Sequence, residues 1–118
     1  MLSLHVPGLV YLATDINPHA CKCTSLTGRQ NNVDIDVVDC SFATPFYPRL
    51  HGKVDVLLFN PPYVPTTNEE AYDGQTAGDI AGSWAGGSEG MKITNIMLEQ
   101  VEVTSYYDPS LVIFATHL

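Results

Sequence analysis

Residues 54–63 read Val-Asp-Val-Leu-Leu-Phe-Asn-Pro-Pro-Tyr, and this stretch decides the fold class. Its first six residues are almost all apolar, which is typical of a parallel strand that is covered on both faces. The two prolines cannot continue a strand, because they lack the backbone N–H that pairing needs. The sequence therefore predicts a buried strand over 54–59 that ends abruptly in a rigid turn.

On both sides of this strand the sequence alternates between strand and helix patterns. Short apolar runs or alternating polarity predict three further strands, over 10–13, 33–39 and 111–116. Asn17-Pro18 predicts a helix start, and the helix over 19–26 is expected to stop at Gly28. Apolar residues at helical spacing predict another helix over 91–103. This order predicts an α/β fold with a mostly parallel sheet.

Two connections show no helical periodicity. The segment 41–52 contains Pro45 and Pro48, so no long helix is expected there. The segment 66–90 is polar and rich in glycine, and it is long for a connection inside a compact domain. It is interpreted either as a lid or rim of a binding site or as a disordered surface loop.

Composition narrows the function classes. The 118 residues suffice for a single domain, and the net charge is −8 with five Lys and Arg. So few cations argue against tight binding to a nucleic-acid backbone, although the acidity is equally explained as a solubility feature. No signal-peptide pattern is present, which predicts a cytosolic or nuclear protein. The spacing of Cys21, Cys23 and Cys40 fits neither a zinc site nor a disulfide framework, so no metal site is expected and the three are interpreted as packing residues.

Three polar residues follow predicted strands: Asp15, Asp39 and Asn60. In open α/β sheets, ligands bind beyond the carboxyl ends of the strands. Asp15 could accept hydrogen bonds from the hydroxyls of a ribose, and Asp39 from the exocyclic amine of an adenine. Taken singly, either aspartate is more readily explained as a turn or capping residue.

The motif Asn60-Pro61-Pro62-Tyr63 has a specific chemical interpretation. The lone pair of a planar –NH2 group is delocalised, so such a nitrogen is a poor nucleophile. The Asn60 side-chain oxygen and a main-chain carbonyl of the proline pair can accept its two hydrogens and aim the lone pair at an electrophilic methyl group. The prolines stiffen the turn, and the Tyr63 ring can stack on the flat substrate group. The alternative is simply a rigid turn after a strand.

These residues resemble a known family. The segments 14–18, 38–39, 53–64 and Trp84-Ala85-Gly86-Gly87 with Gly90 are similar to the eukaryotic branch of the HemK-type glutamine methyltransferases, the N6-adenine methyltransferase-like proteins. The resemblance implies a partial Rossmann-like, class I S-adenosylmethionine-dependent methyltransferase fold.

The resemblance also implies site residues and partners. Asp15, Asp39 and Asn60 would bind S-adenosyl-L-methionine, and Asn60, Pro61 and Tyr63 would be catalytic. Substrate contacts would come from Asn60, Pro61, Pro62 and Tyr63. The implied substrate is the glutamine side-chain amide of a translation termination factor, in its Gly-Gly-Gln loop. The implied partner is a small zinc-binding activator subunit that docks by extending the sheet.

The chain also departs from the family pattern. Members have a strand and a glycine-rich loop before the Asp15 strand, and they have further strands after the last one predicted here. Residues 1–118 are therefore expected to form a single partial domain, whose strands over 10–13 and 54–59 lack a neighbour. Weak or absent cofactor binding and impaired activity are the consequences. Two alternatives remain open: methylation of adenine in nucleic acid or of protein lysine, and a non-catalytic interaction fragment.

Overall fold

The computed structural model describes residues 8–78, 80–104 and 111–116, and for 101–104 and 111–116 it describes the backbone alone. Four strands form one sheet in the order β2-β1-β4-β3, and all three pairings are parallel. The strands are β1 (Val10–Asp15), β2 (Ile35–Asp39), β3 (Val56–Asn60) and β4 (Leu111–Thr116). The prediction of an α/β fold with a parallel, Rossmann-like sheet is confirmed.

Four helices connect or follow the strands: α1 (Pro18–Gln30), α2 (Tyr47–Leu50), α3 (Asn68–Ala77) and α4 (Lys92–Thr104). A 3₁₀ turn over Thr44–Phe46 leads into α2, so the connection between β2 and β3 has only short helical turns, as expected. No helix in the described part of the chain has the length and apolar character that a membrane crossing requires.

The position of β4 corrects one prediction. The strands containing Val10 and Val56 were expected to lack a neighbour, but β4 lies between them and pairs with both. Leu12 and Leu57 are both partners of Ile113, for example. The backbone hydrogen-bonding groups on the inner edges of β1 and β3 are therefore used within the sheet.

Helix α1 begins as predicted but ends later. The Asn17 side chain accepts hydrogen bonds from the backbone N–H groups of His19 (2.9 Å) and Ala20 (3.4 Å), so Asn17 is the N-cap. The prediction that Gly28 stops the helix is wrong, because the helix continues to Gln30. Gly28 is instead needed for packing, since a Cβ there would lie 2.9 Å from the carbonyl oxygen of Val33.

The segment 66–90 also differs from expectation, because it contains α3. Thr67 and Glu70 form a capping box: the Glu70 N–H donates to the Thr67 hydroxyl (3.1 Å), and the Thr67 N–H donates to the Glu70 carboxylate (3.1 Å). The buried residues of α3 are Ala71 and Gly74, which are too small to give a visible apolar periodicity.

Two apolar clusters support the carboxyl end of β3. In the first, Leu12, Ala43 and Leu50 are buried. In the second, Phe42 packs with Ile93 and Met97 of α4. Leu57 of β3 packs against both clusters. The two clusters therefore hold the strand that carries Asn60 in place.

Candidate functional site

The register of the sheet places the three predicted polar residues in one row. Asp15 is paired with Asp39. Thr14 and Phe59 are both partners of Ala115, so Asp15 and Asn60 each lie one residue beyond the same β4 residue. With strands spaced about 4.8 Å apart, the Cα atoms of Asp15 and Asn60 are about 10 Å apart across β4. The structure thus brings Asp39, Asp15 and Asn60 to one edge of the sheet.

The two carboxylates of this row differ in accessibility. Asp15 is 4% exposed, and its Oδ1 accepts a hydrogen bond from the backbone N–H of Asn17 (2.8 Å). That bond fixes the turn between β1 and the capped start of α1. Asp39, one strand away, is exposed. A ligand could reach Asp39 directly, whereas Asp15 becomes accessible only when the residues around it rearrange.

Two cysteines contact the backbone of Asp15, Cys21 through its thiol and Cys40 through its backbone N–H. The carbonyl oxygen of Asp15 accepts hydrogen bonds from the Cys40 backbone N–H (2.9 Å) and from the Cys21 thiol (3.5 Å). Burial raises the pKa of the Cys21 thiol above its ordinary value, and the negative charges of Asp15 and Asp39 raise it further. Burial also raises the pKa of Cys40. Both side chains are therefore neutral near pH 7. Within the described residues, no three His, Cys, Asp or Glu side chains are grouped so that they could hold a metal ion.

The turn after β3 is rigid because its second proline is embedded. Pro62 is fully buried, whereas Asn60 is exposed and the Tyr63 side chain is 69% exposed. Beneath the strand end, the rings of Phe59 and Phe42 pack at a tilt with their centres 6.1 Å apart. The motif thus has a buried base and presents Asn60 and the Tyr63 ring to the solvent.

A second segment, residues 84–90, pairs with the backbone of this turn and packs against it. We call this segment the clamp. Val64 and Ala85 form a β-bridge, in which the Val64 N–H donates to Trp84 O (2.9 Å) and the Gly86 N–H donates to Val64 O (2.8 Å). A Cβ on Gly86 would lie 2.8 Å from the carbonyl oxygen of Pro62. Since the Pro62 carbonyl faces the clamp, Pro61 is the better candidate for the main-chain acceptor.

The clamp glycines were missed as structural residues by the sequence reasoning, which assigned them only to the family resemblance. Gly90 has a φ of +69°, and a Cβ there would overlap the carbonyl oxygen of Tyr63. Gly87 has a φ of +73°. The signal in the sequence was the spacing of three glycines within five residues, which is typical of a backbone that needs positive φ or close approach.

The segment between the turn and the clamp crosses to the other end of the row. We call residues 68–78 and 80–83 the strap. Gly74 packs against the backbone of Gly82, and the Gln75 side chain donates to Gly82 O (3.0 Å). At its far end, Cβ atoms on Gly78 and Gly82 would lie 2.7 Å from Ile16 O and 3.4 Å from Ile16 Cδ1, respectively. The strap therefore spans from the Asn60 turn to the residue that follows Asp15.

A separate cleft of about 560 Å³ lies away from this edge. It is lined by residues of β1, β2 and the 44–53 connection, among them Leu12, Val38, Phe46, Arg49 and Lys53. None of the candidate site residues lines it. We base the site on the row of polar side chains rather than on this cleft, because the residues that bear the chemistry lie at the row.

Comparison with known proteins gives relatives that are named as methyltransferases. The chain is 42% identical over 93 residues to mouse "Methyltransferase HEMK2", and 39% identical over 99 residues to the Schizosaccharomyces pombe "eRF1 methyltransferase catalytic subunit mtq2". These alignments cover 79% and 80% of the chain, and 42% of each relative. It is also 29% identical over 99 residues to the Aquifex aeolicus "Release factor glutamine methyltransferase", covering 84% of the chain and 35% of that protein.

No family model matches the chain. The chain spans 42% of the length of its mouse and fission-yeast relatives, so the likeness concerns that part of those proteins. Within that part, the relatives from mouse, a yeast and a bacterium are all methyltransferases, and the sheet is parallel. These findings identify the same family as the turn motif and the clamp glycines. The chain belongs to the HemK-type methyltransferases.

Proposed function

We propose that this chain provides the acceptor end and the adenosine end of an S-adenosylmethionine-dependent N-methyltransferase that acts on the glutamine side-chain amide of a translation termination factor. The observation that carries the proposal is the single row of Asp39, Asp15 and Asn60, with the Asn60 turn locked from behind by the clamp. The names of the relatives from fission yeast and Aquifex aeolicus support the choice of substrate.

Asn60 and Pro61 act on the acceptor nitrogen. The Asn60 side-chain oxygen and the Pro61 carbonyl accept hydrogen bonds from the two N–H groups of the substrate amide. The lone pair of the amide nitrogen is thereby directed away from the amide π-system. Both acceptors belong to a turn whose next residue, Pro62, is fully buried. The acceptors are therefore pre-organised before the substrate arrives, which lowers the entropic cost of reaching the reactive geometry. The exposed Tyr63 ring can then stack on the amide plane.

The residues of the row fit the adenosine end of the cofactor. Asp39 and Asp15 are hydrogen-bond acceptors on adjacent strands, which suits the amine and hydroxyl donors of an adenosine. When bound, S-adenosylmethionine supplies an electrophilic methyl group on a sulfonium. Because Asp15 is 4% exposed, we expect this chain to bind the cofactor weakly. Calorimetric titration tests this expectation, and a micromolar dissociation constant would overturn it.

Two protein partners belong to the proposal. The first is the termination factor, and the net charge of −8 suits a protein substrate better than a polyanion. The second is a small zinc-binding activator subunit that pairs with an edge strand of the sheet. Its support is that the fission-yeast relative is named as a catalytic subunit. Strand β2 is at one edge of the described sheet, so its outer backbone groups are available for such pairing.

The decisive experiment is Asn60→Ala, with Asn95→Ala as the matched control. Both asparagines are exposed, but Asn95 lies in α4. With S-adenosylmethionine supplied in large excess to offset its weak binding, we expect Asn60→Ala to reduce methyl transfer to a Gly-Gly-Gln peptide by about a hundredfold or more, because one of two positioned polar contacts is lost. Circular dichroism should show that both variants are folded. Retained turnover in Asn60→Ala would refute the role of Asn60.

A further inference from the structure

We propose that Thr66 is a positioning residue for the Asn60–Pro61 acceptor pair, and that it acts through the clamp. The inference rests on the proposed function and deepens it, because it names a residue outside the motif on which acceptor binding depends. Thr66 is half-buried and lies three residues after Tyr63. Its contacts with Gly87 bring together residues that are 21 positions apart.

The backbone of Gly86 and Gly87 is held at all four of its polar groups. The Gly86 N–H donates to Val64 O (2.8 Å), and Gly86 O accepts from the Lys92 N–H (3.0 Å). Gly87 O accepts from the Thr66 N–H (3.0 Å) and from the Gly90 N–H (2.9 Å). The fourth group, the Gly87 N–H, donates to the Thr66 hydroxyl oxygen (3.0 Å). Four of these five bonds are therefore backbone to backbone, and one depends on a side chain.

The Thr66 hydroxyl is well suited to this contact. It donates its own hydrogen to the carbonyl oxygen of Thr67 (3.2 Å), so its lone pairs are available to the Gly87 N–H. Together with its backbone N–H, Thr66 thus contacts both sides of Gly87. This two-point contact stabilises Gly87 at φ +73° and ψ −163°, a conformation that few residues other than glycine adopt.

The effect reaches the acceptors through close contacts. Gly86 lies directly against the Pro62 carbonyl, at a distance where even a Cβ would not fit. Pro62 is fully buried and is bonded to Pro61, which carries the proposed main-chain acceptor. When the Gly87 N–H loses its partner, the clamp can shift away from Pro62. The Pro61 carbonyl and the Asn60 side chain then no longer share one fixed geometry.

The test compares Thr66→Val with Thr66→Ser. Valine has the shape of threonine and retains the backbone N–H that donates to Gly87, so it removes the hydroxyl alone. Serine retains the hydroxyl and should behave like the native chain. Thr27→Val, at an exposed position of α1, is the matched control for the substitution itself.

Two measurements on the full chain are needed. The first is amide hydrogen exchange, in which Thr66→Val should speed exchange of the Gly87 N–H by about tenfold or more. Exchange of the Val33 N–H, which donates to Gly28 O (2.9 Å), should not change. The second is binding of a Gly-Gly-Gln peptide, which should weaken by about tenfold in Thr66→Val and recover in Thr66→Ser.

The outcomes separate the two proposals. If the native chain binds the peptide and Thr66→Val binds it equally well, the role of Thr66 is refuted while the proposed function stands. Equal exchange of the Gly87 N–H in both chains refutes it as well. If the native chain does not bind the peptide at all, the proposed function fails, and the role of Thr66 fails with it.

Discussion

Gly90 lies so close to the carbonyl oxygen of Tyr63 that a Cβ at position 90 would overlap it. Gly90 also has a φ of +69°, which costs a non-glycine residue about 1–2 kcal/mol. Gly90→Ala therefore adds steric overlap to backbone strain. We expect it to lower the free energy of unfolding by about 2–4 kcal/mol, as measured by urea denaturation.

Gly8→Ala separates the two causes. Gly8 has a φ of +90°, but a Cβ there would meet nothing within 4 Å. This control should show only the backbone cost of about 1–2 kcal/mol. Equal losses of stability in the two variants would mean that the contact with Tyr63 contributes nothing.

The capping box of α3 gives a second prediction. Thr67→Ala removes the side chain that accepts from the Glu70 N–H, and we expect a loss of about 1 kcal/mol. A helix of ten residues depends on its caps and on tertiary packing, so α3 should become locally labile. Hydrogen exchange at Ala71 and in the following turn should accelerate, while exchange in α1 should be unchanged. Thr67→Ser should preserve protection, and if it does not, the capping contact is not responsible.

The contact between the strap and Ile16 gives a third prediction. Ile16→Ala removes the side chain on which Gly82 packs, so the far end of the strap should detach more often. We expect faster amide exchange in α3 and a much smaller increase at the Gly87 N–H, because Thr66 also holds that group. Leu26→Ala, at an exposed position of α1, is the control. Unchanged exchange in α3 would show that Ile16 does not hold the strap.

The thiols give a prediction for alkaline pH. The pKa values of Cys21 and Cys40 are raised in the folded chain, so the unfolded chain loses these protons first. Since the unfolded state then binds fewer protons, stability falls as the pH rises above the ordinary thiol pKa of 9.0. Well below that pH both thiols are protonated in the folded and the unfolded chain, so they should add no pH dependence to the stability.

Urea denaturation between about pH 8 and pH 10 measures this slope. The double variant Cys21→Ala, Cys40→Ala should have a shallower decline than the native chain. Cys23→Ala, at an exposed position of α1, is the matched control for the loss of a thiol. A native slope in the double variant would assign the decline to other groups, such as Tyr47, whose pKa burial also raises.

Much of the fold is local and was therefore predictable. The abrupt end of β3 follows from two prolines, and the start of α1 follows from Asn17 and Pro18. The five apolar residues among 54–59 predicted the strand itself, but the prediction that both of its faces are covered is wrong, because Val56 and Leu58 are 47% and 46% exposed. These features depend on residues that are adjacent in the sequence. The placement of Asp15, Asp39 and Asn60 at one edge also follows, since parallel strands end at the same edge of a sheet.

The errors concern contacts between distant residues. Gly28 reads as a helix stop, but its lack of a Cβ serves a contact with Val33 across the turn. Helix α3 buries only small residues, so hydrophobic periodicity misses it, although the pattern Thr67-x-x-Glu70 was a readable start signal. The insertion of β4 between β1 and β3 depends on pairings over many residues, which no local pattern encodes.

The strap connects the Asp15 end of the row to the Asn60 end, so we expect a movement at one end to affect the other. It begins two residues after Thr66, contacts Ile16 beside Asp15, and ends one residue before the clamp, whose Ala85 pairs with Val64. We expect a nucleoside that reaches the buried Asp15 to displace the strap at Ile16, and the strap is continuous in sequence with both the acceptor turn and the clamp. By thermodynamic reciprocity, an acceptor that steadies the turn changes the affinity for the nucleoside by the same factor. The two ligands of such an edge would bind cooperatively or antagonistically, but not independently.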